Sequence, residues 1–221
     1  MSGSVMGKQS RIEWTDATWN HWYGCREVSP GCDNCYARRG MTRYGRPWQV
    51  QRAADATFSA PLHWKEPRRI FVCSWSDFFI RDADSWREEA WWVMLDAPQH
   101  TYQILTKRPG LMADWAKTHP WPAHIWAGVS VESAKYLPRL DVLARVPAPV
   151  RFVSCEPCIS ALDMSDWLDK LVDEITDRVL KQSAGVYACG CGGSGGPCPC
   201  GGCSTPEHCA AKSPATVAHI V

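Results

Sequence analysis

Short apolar segments alternate with helix-like segments from about residue 70 onward, and this alternation restricts the fold more than any other feature of the sequence. The segments with strand character are residues 70–74, 101–105, 124–131 and 150–154. Helices are predicted after residue 85, after Pro109, after Ser133 and at residues 168–179. Strands that alternate with helices form a parallel sheet, either doubly wound or barrel-like. The sequence therefore predicts an α/β fold.

Polar residues follow directly after each apolar segment. They are Ser76 and Asp77, then Thr106, Lys107 and Arg108, then Ser130 and Glu132, and finally Glu156. The carboxyl ends of parallel strands meet at one edge, where α/β barrels and open α/β sheets bind ligands. Each residue alone could be a helix cap or part of a surface ion pair, but their repetition favours a site. We therefore prefer a partial or complete (β/α) barrel to a doubly wound sheet.

A loop with three cysteines precedes this region and is the strongest chemical signal. Six residues separate Cys25 from Cys32, and two separate Cys32 from Cys35. Pro30 and Gly31 favour a turn that brings Cys25 back toward the other two thiols. Three soft ligands suit a catalytic zinc or an iron–sulfur cluster with one iron left open. Structural zinc with a fourth ligand from elsewhere is equally compatible. The cysteine spacing alone therefore does not distinguish an iron–sulfur cluster from zinc.

The composition indicates a cytoplasmic protein whose thiols serve metal binding. The chain has 12 cysteines, and its first ten residues lack the apolar region of a secretion signal. No apolar run is long enough to span a bilayer, so no membrane association is expected. Without export, cysteines point to metal rather than to disulfides. The net charge of +1 gives no overall basic field for nucleic acid.

The last part of the chain differs in composition from the rest. Six cysteines lie among glycines and prolines between residues 189 and 209. Glycine-rich sequence does not form its own packed core, so this tail is either ordered by zinc or a cluster, or flexible. We predict two regions: an α/β barrel domain at residues 1–182 and an irregular Cys/Gly-rich tail at residues 183–221.

Taken together, these segments resemble a family of uncharacterised phage and bacterial proteins with a phage-type three-cysteine motif, grouped with radical S-adenosylmethionine (SAM) enzymes. The matching segments are residues 12–20, 24–25, 28–37, 67–72, 74, 76–77, 105–109, 128–132, 151–154 and 156–157. The resemblance implies a radical-SAM-like barrel and a 4Fe–4S cluster held by Cys25, Cys32 and Cys35. It further implies SAM at the open iron, an electron donor as partner, and an unknown substrate. A phage-encoded member would work in the host cytoplasm.

The resemblance also assigns roles to the strand-end residues. Lys107 or Arg108 would pair with the SAM carboxylate, and Asp77, Glu132 or Glu156 would accept hydrogen bonds from its amine or ribose hydroxyls. The candidate cofactor-binding residues are Ser76, Asp77, Lys107, Arg108, Ser130, Glu132 and Glu156. No catalytic acid, base or radical relay is assigned.

The chain departs from the family pattern in several places. The usual radical-SAM cysteine spacing is three residues and then two, whereas this loop has six and then two. Cys155 and Cys158 replace the apolar residues that the family has on each side of the Glu156–Pro157 pair. These two cysteines would form either a second metal site or a redox pair. The family's closing helix and strand are replaced by the Cys/Gly tail, so an inactive, shortened relative is a third hypothesis.

The alternative function is a binding module without catalysis. In that interpretation zinc stabilises the cysteine loop, and tryptophans contact nucleic acid together with a set of arginines. Those arginines are Arg38, Arg39, Arg68 and Arg69. The near-neutral charge argues against this alternative, because phosphate binding usually requires a basic face.

Overall fold

The computed structural model describes residues 10–169 and 217–220 of the chain. Two units are distinguished, and the first contains residues up to Leu162 together with the C-terminal segment from Thr216. In the second unit, Asp163–Ala215, the described part is residues 163–169, which become helical from Ser165. The predicted boundary at residues 182 and 183 lies outside the described residues. The six tail cysteines and most of the predicted helix at residues 168–179 do as well.

The first unit contains a parallel sheet of six strands. In their order across the sheet, the strands are β1 (Ala17–Trp19), β4 (Arg69–Val72), β5 (Thr101–Thr106), β6 (Ile125–Ser130), β7 (Val150–Ser154) and β8 (Val217–Ile220). A separate antiparallel pair consists of β2 (Trp22–Tyr23) and β3 (Gln51–Arg52). The strands predicted from the apolar segments are confirmed as β4, β5, β6 and β7.

Helices connect the parallel strands from β1 to β7, as the alternation predicts. They are α1 (Tyr36–Arg43), α2 (Asp55–Phe58), α3 (Asp84–Asp96), α4 (Pro109–Ala116) and α5 (Pro138–Ala144). Short 3₁₀ turns occur at Pro30–Cys32, Ala60–His63, Arg81–Ala83 and Ala134–Tyr136. Among the described residues, no helix combines the length and the apolar character needed to cross a bilayer.

The core lies on both faces of the central strands. Consecutive residues of β6, from Ala127 to Ser130, are all buried, as are Ile70, Phe71 and Val72 in β4. Burial of successive residues is typical of parallel strands that are covered on both sides, because side chains alternate between the two faces. At Gly128 a Cβ atom would lie 2.4 Å from the Phe152 ring, so β6 and β7 pack with no room for a side chain there.

The strand order runs along the chain without reversal. A doubly wound sheet reverses its order at one point, and the observed sheet does not. In the described part of the chain no ladder joins β8 to β1. The structure therefore establishes an α/β fold with a parallel sheet, and closure into a barrel stays a prediction.

Strand β8 corrects the prediction of an irregular tail through residue 221. Residues 217–220 extend the sheet beside β7, in register with Val150–Val153. The segment contains Val217 and Ile220, and β-branched residues favour strands. The preceding Cys/Gly-rich sequence concealed this signal.

Candidate functional site

The cysteine loop lies across the carboxyl end of β4. The Gly24 amide donates to the Trp75 carbonyl at 3.1 Å, and the Ser76 hydroxyl donates to the Gly24 carbonyl at 2.5 Å. Gly24 has φ +85°, and a Cβ atom there would lie 2.0 Å from the Gln49 carbonyl oxygen. Only glycine fits this entry to the loop. At the other end of the loop, the Tyr36 hydroxyl donates to the Ser74 carbonyl.

A buried ion pair links the ends of β4 and β5 to Cys25. Asp77 is 4% exposed and lies 2.8 Å from the Arg108 guanidinium. Arg108 in turn donates to the Cys25 sulfur at 3.7 Å and to the Arg26 carbonyl at 2.7 Å. The Asp77 carboxylate also accepts the Thr106 hydroxyl at 2.7 Å and the Lys107 amide at 3.0 Å. The first residue of the cysteine loop is thus held through Arg108.

A second buried carboxylate holds the middle of the loop beyond β6. Glu132 has no exposed surface and accepts the Ser29 hydroxyl at 2.5 Å. Its other oxygen accepts Arg139 at 2.7 Å, and Lys107 Nζ lies 3.5 Å from the oxygen that accepts Ser29. A Cβ atom on Gly31 would lie 2.5 Å from the Glu132 side chain. The turn at Pro30–Cys32 therefore packs directly against this carboxylate.

The structure brings most of the predicted strand-end residues together, but they bind one another. Asp77 pairs with Arg108, Lys107 approaches Glu132, and Ser76 holds the loop backbone. The Ser130 carbonyl accepts Arg139, again within the protein. Glu156 is exposed just beyond β7. A contact between these charged groups and SAM stays a prediction, and in this structure they position the loop.

The three loop thiols are free and partly exposed. Burial and the nearby Asp77 charge raise the pKa of Cys25 to about 11, and Arg108 acts against this rise. The Cys32 sulfur lies 4.0 Å from the Ser29 hydroxyl. Within residues 10–169 and 217–220, no three His, Cys, Asp or Glu side chains are grouped so that they could hold a metal ion. The loop thus carries suitable donors without an assembled ligand set.

A cleft of about 580 Å³ opens beside Cys25. Its lining includes Cys25, Arg26, Glu27, Arg38, Trp48 and Asp82. The two guanidiniums pair with the two carboxylates, Arg26 with Asp82 at 2.6 Å and Arg38 with Glu27. The two ion pairs therefore leave these four side chains without net charge, and the cleft also contains one indole ring beside the cysteine loop.

Comparison with known families assigns the chain to one of them. The profile of a family described as "Protein of unknown function (DUF5131)" matches residues 9–198, which is most of the chain. The chain belongs to the DUF5131 family. Neither the curated proteins nor the solved structures contain a match to it. The family's description assigns no ligand or activity, so the resemblance to radical SAM enzymes stays a prediction.

The DUF5131 match also spans the second cysteine motif. Cys155 is half-buried and Cys158 is exposed, and neither forms a disulfide. Both follow β7, and the Ile159 amide donates to the Glu132 carbonyl at 3.0 Å. The same residue that holds the first cysteine loop therefore also holds the segment with the second pair.

Sequence reasoning missed three residues that build this edge. Ser29 and Arg139 are the partners of Glu132, and His21 lies 3.3 Å from the buried Cys73 sulfur. Burial raises the pKa of Cys73 and lowers that of His21, so both are uncharged. Arg139 has the sequence context of a surface charge on a helix, and nothing in the sequence links it to Glu132. Cys73 and His21 meet only because β1 and β4 are neighbours.

Proposed function

We propose that this DUF5131 member is an iron–sulfur protein in which Cys25, Cys32 and Cys35 hold a 4Fe–4S cluster. The observation that supports this most is the position of the loop. Three free thiols lie on a loop that is fastened to the carboxyl ends of β4, β5 and β6. That edge is where parallel α/β proteins bind ligands.

The three thiols are chemically suitable ligands for the cluster. To bind it together, they must move closer to one another than they lie in this structure. Thiolates are the usual ligands of iron–sulfur clusters. The three cysteines are partly exposed rather than fixed in the core, so their sulfur atoms can approach one another while Glu132 holds the Ser29 side chain and Arg108 holds the Arg26 carbonyl. Metal binding then displaces the proton of Cys25, since thiols ligate as thiolates.

The finer proposal is a radical-SAM-like enzyme with a barrel fold, acting in the cytoplasm on an unknown substrate. A cluster held by these three thiols, with one iron left open, would supply the electron for cleavage of SAM, and a reductant would have to deliver that electron. The strand order without reversal supports a barrel, and the cleft beside Cys25 offers space for a ligand. Asp77 would keep Arg108 directed at Cys25 during this chemistry.

The zinc-stabilised nucleic-acid module receives less support. Arg38 pairs with Glu27, Arg69 pairs with Asp16 at 2.9 Å, and Arg68 lies over the Trp64 ring. Guanidiniums with these partners do not form an unpaired basic face. The experiment below therefore treats zinc binding by the loop as one of its possible results.

Anaerobic reconstitution with iron and sulfide tests the proposal. The wild-type chain should become brown and retain iron and sulfide in equal amounts, and Cys32→Ala should lose both. Cys158→Ala is the matched control, since that thiol is exposed and lies outside the loop. A colourless chain that retains zinc instead would contradict the cluster. Titration calorimetry with SAM on the brown protein then tests the finer proposal, which an absence of binding would exclude.

A further inference from the structure

The segment after β7 places two thiols on one short, restrained loop. The Ser154 carbonyl accepts the Val131 amide at 2.8 Å, and the Ile159 amide donates to the Glu132 carbonyl at 3.0 Å. Because Val131 and Glu132 are adjacent, these hydrogen bonds hold both ends of residues 155–158 close together.

Cysteines occupy the first and last positions of this loop. Two cysteines can form a disulfide when their Cα atoms lie about 4.4–6.8 Å apart, and a short loop with restrained ends favours such an approach. Both thiols are free, with Cys158 exposed and Cys155 half-buried. An exposed thiol is accessible to a small oxidant, and the second thiol is then within reach to displace it.

We propose that Cys155 and Cys158 form a reversible dithiol–disulfide site that reacts with low-molecular-weight disulfides. The Cys158 sulfur attacks one sulfur of glutathione disulfide, which forms a mixed disulfide and releases one glutathione thiol. The Cys155 sulfur then displaces the second glutathione. Two S–H bonds are lost, one S–S bond forms, and two electrons and two protons reduce glutathione disulfide to two glutathiones.

The chemistry around the pair is consistent with this order of attack. Burial and the adjacent Cys158 thiol raise the pKa of Cys155, which disfavours its thiolate and so disfavours Cys155 as the first thiol to attack. Cytosolic disulfides, where they occur, are usually transient or redox-sensing. The thiols of this site are distinct from those of the proposed cluster, which are Cys25, Cys32 and Cys35.

The experiment uses the chain of 221 residues, equilibrated in glutathione buffers of stepped potential. After acid quenching, free thiols are blocked with N-ethylmaleimide and the chain is digested with trypsin. Cleavage after Arg151 and Lys170 gives a peptide of residues 152–170 that contains Cys155, Cys158 and no other cysteine. The peptide of residues 70–81 contains only the buried Cys73 and serves as an internal reference.

We expect peptide 152–170 to lose two hydrogen atoms and to take up no maleimide as the buffer becomes oxidising. Its disulfide-to-dithiol ratio should change tenfold for each ~30 mV, as a two-electron couple requires. Cys73 should remain fully reactive after unfolding. In Cys155→Ser, Cys158 should instead carry a glutathione adduct, which identifies it as the attacking thiol.

Two results would overturn the inference. One is a peptide 152–170 that remains a dithiol at every potential. The other is a wild-type peptide that carries glutathione adducts, or links to other cysteines, in place of the internal disulfide. Neither result depends on iron loading, so failure of the proposed cluster leaves this test intact.

Discussion

Asp77 connects the ends of two neighbouring strands through one carboxylate. It follows β4, and its partners Thr106, Lys107 and Arg108 follow or end β5. Only 6% of its side chain and 11% of that of Arg108 are exposed. Removing one member of a buried ion pair leaves the other charge without compensation, which costs more than the pair itself contributes.

Asp77→Asn should therefore lower the free energy of unfolding by about 3 kcal/mol, because Arg108 stays buried without a counter-charge. The substitution keeps the shape of the side chain, so cavity formation does not contribute. Urea denaturation followed by tryptophan fluorescence measures the change.

Asp114→Asn is the matched control for this substitution. Asp114 pairs with Lys117 at 2.6 Å, but both side chains are largely exposed. Surface pairs of this kind contribute little, so the denaturation midpoint should hardly move. An equal effect of both substitutions would show that Asp77 does not act through its burial with Arg108.

The sequence predicted which polar residues gather at the sheet edge, because parallel strands carry their carboxyl ends to one side. It could not predict that Asp77 faces Arg108 or that Lys107 faces Glu132. Those pairs depend on strand register and side-chain direction, which residue types alone do not determine. Charged side chains that were expected to bind a ligand pair with one another instead. Arg139, which lies on α5, also pairs with Glu132.

At the level of elements, β6 and β7 approach each other through Gly128. A Cβ atom there would lie 2.4–2.6 Å from the Phe152 ring, and Phe152 is 2% exposed. The ring is enclosed by the core, so it has little freedom to move away. This pair therefore fixes how closely the two strands pack.

Gly128→Ala should destabilise the chain by about 1–3 kcal/mol, the usual range for a methyl group forced into a packed core. Thermal unfolding followed by circular dichroism measures the loss. Gly110→Ala in α4 is the control, since no atom lies within 4 Å of its Cβ position. If Gly128→Ala matched this control, the close contact with Phe152 would be wrong.

Element types were largely predictable from the sequence, and short elements were not. The strands β4 to β7 each contain enough consecutive apolar residues to be recognised. The helix α2 spans Asp55–Phe58 and β3 only Gln51–Arg52, and both precede the first strand that the alternation predicts. Elements of that length have no periodicity to detect, and they form because the surrounding chain packs against them.

For the whole molecule, a buried neutral histidine links stability to pH. Burial lowers the pKa of His21 well below its ordinary value of 6.5. Near pH 6 the unfolded chain therefore binds a proton at His21 that the folded chain does not. The stability contribution of this residue is complete only well above pH 6.5, and it decreases as the pH falls through that value.

The free energy of unfolding should thus decrease between about pH 7 and pH 5, approaching about 1.4 kcal/mol per pH unit for His21. His21→Gln should remove the contribution of this one proton from the slope, whatever its effect on the free energy of unfolding at neutral pH. Urea denaturation at stepped pH measures both slopes. Carboxylates with lowered pKa, such as Asp16, act at more acidic pH. Identical slopes in the two chains would contradict a buried neutral His21.

Glu132 contacts both thiol-bearing segments, through its side chain to Ser29 and through its carbonyl to the Ile159 amide. Opening either segment removes a partner from a residue without exposed surface. The two segments therefore share one free energy of local opening and should exchange their amide hydrogens as a single cooperative unit. A proteolytic cut in one segment would consequently loosen the other, although more than a hundred residues separate them along the chain.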